Sequence, residues 1–120
     1  MSMIGSVLIL AAAQGSPAAV DVAREELVAG RDAAAIAAIM ANEQIEETDP
    51  ARLINLGVAH ARRGETDMAK RYFQDAAEAD DAIYLETVDG EWIAVRRLAN
   101  RALAMLERGA FAERTMVASR

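Results

Sequence analysis

His60 is the only histidine in a chain of 120 residues that contains no cysteine. A histidine that acts as a general base needs a proton donor or an orienting group within hydrogen-bond reach. A zinc site needs further histidine or cysteine ligands. The sequence provides neither, so His60 reads as a packing residue. Two carboxylate groups stand out, Glu43, Glu46 and Glu47, then Asp75, Glu78, Asp80 and Asp81. Calcium sites converge such oxygens through a glycine-bearing turn of the D-x-D-x-D-G kind, which is missing from both groups. Ser2, Ser6, Ser16 and Ser119 have no evident base, and Gly5, Gly15 and Gly30 do not form a phosphate-binding loop. The expectation is a protein without catalytic residues, metal or cofactor. Trp92, the only tryptophan, either covers a core edge or anchors a partner.

The elements that carry these residues are helical by composition. The apolar fraction is 53%, much of it alanine, while aromatics make up 4%. Such a core relies on close helix approach rather than on bulky side chains. A chain of this length suits one domain, mainly α. The net charge of -6 disfavours nucleic acid as a partner. Residues 41–88 hold 11 acids against 5 bases, whereas residues 89–120 hold 4 acids against 6 arginines. The last helix is therefore expected to set a basic surface beside an acidic body.

The opening "MSMIGSVLILAAAQGSPAAV" leaves two readings. Met3–Ala13 is apolar, and Ala11-Ala12-Ala13 resembles a signal-peptide cleavage site, although Lys and Arg are missing before it. On that reading the protein is exported, to the periplasm. On the other, residues 1–14 form an apolar helix that packs on the domain of a cytoplasmic protein. Either way the run is too short for a stable membrane span, which takes about 20 residues.

Caps and glycines divide the remainder. Ser16-Pro17 opens a helix to about Ala29, ended by Gly30. Asp32 caps a second, Ala33 to about Glu46. Asp49-Pro50 repeats the cap-and-proline signal, and that helix stops near Arg63 with Gly64 in the left-handed conformation. Thr66 caps a fourth, to about Ala79. Asp89-Gly90 predicts a small β-hairpin over 83–93 with a two-residue turn, pairing Val88 with Glu91 and Thr87 with Trp92; an irregular loop is the alternative. A final helix over 95–108 presents Val95, Leu98, Ala99, Ala102, Met105 and Leu106 on one face. Residues 110–120 read as a tail.

A shift of 34 residues places Gly30 on Gly64, Ala35 on Ala69 and Ile39 on Phe73. Over 50–83 the order is Leu53-x2-Leu56-Gly57-x2-His60, then Gly64, then Ala69-x3-Phe73 and Ala76. This resembles the tetratricopeptide repeat, with Leu53 and His60 in place of the usual aromatics and without the closing proline. Residues 16–49 resemble a degenerate copy. The resemblance implies a short solenoid of antiparallel helix pairs over 16–109, capped by the last helix. Leu53, Leu56, Gly57, His60, Gly64, Ala69, Tyr72, Phe73 and Ala76 would form the repeat packing. The first helix of each pair would line a peptide groove through Val20, Arg24, Leu27, Val28, Ile54, Asn55, Val58, Ala61 and Arg62. The implied function is a non-enzymatic protein–protein interaction module that binds a peptide or helix. The alternative is a self-associating structural protein whose groove is filled. An open groove predicts that Ile54→Glu or Val58→Glu abolishes capture of a partner while helicity stays intact.

Overall fold

The computed structural model describes residues 9–10 and 23–111. The remainder of the opening segment, Val20 and residues 112–120 lie outside them. The chain is mainly helical with a small antiparallel sheet. Its order is β1 (Ile9–Leu10), α1 (Arg24–Val28), α2 (Asp32–Ala41), α3 (Pro50–Arg62), α4 (Thr66–Ala76), β2 (Tyr84–Thr87), β3 (Trp92–Ala94) and α5 (Val95–Glu107).

The third helix follows its sequence signals closely. Asp49 accepts a hydrogen bond from the backbone N–H of Arg52 at 3.1 Å, and Pro50 occupies the first turn. At the other end Gly64 adopts a φ of +79°, and the Glu65 N–H returns to the His60 carbonyl at 2.9 Å.

Other boundaries move for identifiable reasons. A helix continuous over 17–29 is ruled out because Ala23 has a φ of +63°, which no α-helix contains; α1 begins after it. The second helix ends at Ala41, not Glu46. There the Asn42 side chain accepts from the Gln44 N–H at 2.9 Å, competing with the helical ladder, and Ile45 turns into the core. Asp32 and Thr66 are first-turn residues rather than caps, and α4 stops at Ala76 rather than Ala79. The segment read as a signal or a helix contributes a strand at Ile9–Leu10.

The hairpin forms with a register different from the expected one. Glu86 pairs with Trp92, Leu85 with Ile93 and Tyr84 with Ala94. The Thr87 N–H bonds the Glu91 carbonyl at 2.9 Å, and the Gly90 N–H bonds the Thr87 carbonyl at 2.9 Å. The loop is thus three residues, Val88-Asp89-Gly90, with only Gly90 at positive φ. Slipping by one residue exchanges the faces of a strand. In the observed register Leu85, Thr87 and Ile93 are buried, while Tyr84 and Trp92 are exposed. Strand β1 adds to the free edge of β2, giving the order β1-β2-β3.

Packing runs from each helix to the next, α1 on α2, α2 on α3, α3 on α4 and α4 on α5. The sheet closes over the stack, since β1 rests on α3 and β3 leads into α5. The tightest seam joins α3 to α4. A β-carbon at Gly57 would lie 2.6 Å from Phe73 Cδ1, so the glycine is a seat for that ring. The ring's centroid stands 5.9 Å from that of Phe111. Phe111 is only 3% exposed, and Ala110 packs beside the core. The domain therefore continues at least to Phe111, beyond the expected start of a tail at 110.

Candidate functional site

The face of α3 expected to line a groove is closed. Ile54, Asn55 and Val58 are fully buried, Leu27, Ala61 and Arg62 nearly so, and only Arg24 and Val28 of the described set are exposed. The physical reason is that α2, α4, α5 and β1 all pack on α3. Ile54→Glu or Val58→Glu would consequently bury a charge, and a loss of partner capture in those variants would report unfolding.

Arg62, expected to orient a bound peptide, is committed inside the fold. Its Nη1 donates to the Leu27 carbonyl at 2.8 Å and to Asp32 Oδ1 at 3.0 Å. One guanidinium thus ties the end of α1 and the first turn of α2 to the end of α3. Burial pushes the Asp32 carboxyl above the usual range, against the opposite pull of Arg62.

His60 is half-buried and stacks on Tyr72 with ring centroids 5.5 Å apart. Its Nδ1 lies 2.7 Å from Glu65 Oε1. An ionised Glu65 can only accept, so Nδ1 carries the proton. That bond, and a second from Arg63 Nε at 3.2 Å, hold the Glu65 carboxyl below its ordinary value. A group whose pKa is lowered on folding adds stability above its unfolded pKa and loses it as pH falls through the folded one. Glu65→Gln is therefore expected to lower the melting temperature slightly at neutral pH. The gap to the unmodified chain should close in acid, as measured by thermal melts from pH 7 to pH 2.

A cleft of about 630 Å³ opens where α3 begins and α4 ends. That volume is within the usual range for ligand sites. Met40, Leu53, Tyr72, Ala76 and Ala79 form its apolar lining, and Glu47, Asp75 and Glu78 stand around it. Arg52, 8% exposed, also lines it. Its Nη1 donates to the Glu47 carbonyl at 3.2 Å, and its Nη2 meets Met40 Sδ at 3.4 Å. The cleft joins two helix pairs, which is why no local motif marks it. Neither Arg52 nor this cleft stands out from the sequence.

Tyr84 and Trp92 share the outer face of the sheet, 49% and 55% exposed. Trp92 thus does not cover the core. Among the described residues no group of three or more His, Asp or Glu side chains could hold a metal ion. None of the described helices is long and apolar enough to cross a membrane. Comparison with protein-family models, curated proteins and solved structures returned no match, so the likeness to tetratricopeptide repeats rests on the residues of this chain.

Proposed function

We propose that the protein is a non-enzymatic protein–protein interaction module, built as a short tetratricopeptide-like stack, that binds a peptide in the cleft at the start of α3. The observation that carries this reading is the cleft itself. It is open and lined by both apolar and charged side chains, whereas the face of α3 expected to line a groove is buried by the chain's own elements. The seating of Phe73 on Gly57 and the glycine turn at Gly64 support the repeat likeness over 50–83. Met40 is 55% exposed at the cleft, so Met40→Glu alters the site without entering the core. A protein captured by the immobilised chain should bind Met40→Glu at least about tenfold more weakly. Val28→Glu, on an exposed position of α1 outside the cleft, should leave binding unchanged. Equal binding by Met40→Glu and the unmodified chain would remove the cleft as the site.

A second reading, self-association, is favoured by the exposed pair Tyr84 and Trp92 on a sheet that ends at the short strand β3. Sedimentation across a concentration series separates the two, because a monomer at every concentration excludes self-association.

A further inference from the structure

The two arginines of α3 that are buried differ in one respect. Arg62 has its acid, Asp32, at 3.0 Å. Arg52 is equally inaccessible, 8% exposed, yet among the described residues no carboxylate lies within 4.0 Å of its guanidinium. A guanidinium carries five N–H donors and does not lose its charge. Arg52 spends them on one carbonyl and one thioether, the latter a weak acceptor. A cation held without a counter-charge keeps the capacity for a charge-assisted hydrogen bond to an anion. The cation faces a cleft large enough to admit such a group.

The surroundings narrow its chemistry. Glu47, Asp75 and Glu78 are exposed and line the same cleft. Three carboxylates oppose a phosphate or a strongly acidic segment. Arg52 opposes a purely basic one. A ligand that satisfies both carries one carboxylate for the guanidinium and one cation for the acids. Between them it needs an apolar stem to cover Leu53, Tyr72 and Met40.

Building on the cleft as the binding site, we propose that it receives the C-terminus of a polypeptide ending in Lys or Arg. The terminal carboxylate forms a charge-assisted pair with Arg52, the basic side chain reaches Asp75 and Glu78, and its methylene stem lies on Leu53 and Tyr72.

The test uses the full chain and three acetylated heptapeptides. One ends in Leu-Leu-Lys with a free carboxylate, the second is its C-terminal amide, and the third ends in Leu-Leu-Leu with a free carboxylate. Binding is followed by NMR through the Arg52 Nε–H and the backbone amides of 47–53 and 72–79. The lysine acid is expected to bind at least about tenfold more tightly than either of the other two. Arg52→Met should erase the preference for acid over amide. The exposed pair Asp75→Asn with Glu78→Gln should erase the preference for lysine over leucine. If Arg52→Met does not fold, the acid–amide comparison on the unmodified chain still decides. Equal binding of acid and amide in the cleft overturns the carboxylate assignment and leaves the cleft as a peptide site. Shifts of the cleft amides with none of the peptides at millimolar concentration overturn both.

Discussion

Replacing Arg62 with methionine is expected to lower the unfolding free energy by about 3–5 kcal/mol, the usual cost of breaking a buried ion pair from one side. The substitution keeps much of the apolar stem and deletes the donors. The Asp32 carboxylate and the Leu27 carbonyl are then left without the partner they share. Since small domains are stable by about 5–15 kcal/mol in total, the variant should unfold at a far lower urea concentration, which circular dichroism would follow. The loss should depend on pH in a definite direction. The Asp32 pKa is already raised by burial, and removing Arg62 removes the two larger influences that lower it, leaving only the charge of Arg63. A raised carboxyl pKa means that the folded state holds its proton more firmly than the unfolded chain. Stability from this group therefore declines as pH rises through the window between the two values. The deficit of Arg62→Met should be greatest at neutral pH and shrink in acid, where a protonated Asp32 needs no counter-charge. A deficit independent of pH would mean that the pair contributes only through shape.

The second large effect belongs to the α3–α4 seam. Gly57→Val should destabilise by about 3 kcal/mol, at the upper end of what overpacking costs. The Phe73 ring cannot withdraw, because it is fully buried and backed by Phe111. Gly57→Ala is the sharper comparison. In an open helix that change stabilises by about 1 kcal/mol, whereas here the new methyl meets the ring. Net destabilisation by alanine would thus show that the close approach outweighs helix propensity. Phe73→Ala alone should cost about 3–5 kcal/mol. Combined with Gly57→Val it should cost less than the sum, as the valine enters the space that the ring leaves. Strict additivity in denaturant unfolding of the four chains would show that the two positions do not press on each other.

How much of this was legible in advance depends on the range of the interaction concerned. The Asp49-Pro50 start, the Gly64 stop and the apolar face of α5 are set by neighbours within one or two turns, and they stand where the sequence put them. The tetratricopeptide resemblance places Gly57 and Phe73 in one packing set, and the structure seats the ring on the glycine in the seam between α3 and α4. Local signals failed where two of them competed. Asn42 read as helix, yet its side chain bonds the backbone of Gln44 and ends it. Asp89-Gly90 read as a two-residue turn, but burial of Leu85, Thr87 and Ile93 on one face selected the register with a three-residue loop.

The helix pair over 50–76, with its small residues facing a large one, follows from the sequence alone, because its contacts repeat at the helical period. Which faces stay open does not. The resemblance places Ile54, Asn55 and Val58 in a groove, and only the tertiary structure covers them, through the helices and the strand that pack on α3 from elsewhere in the chain. Arg52 and Arg62 lie on one helix, and of the two the resemblance assigns only Arg62 to a binding surface. The fold brings Asp32 to one and leaves an open cleft beside the other. A charge's partner is set by which distant segment arrives next to it, and no period in the chain encodes that.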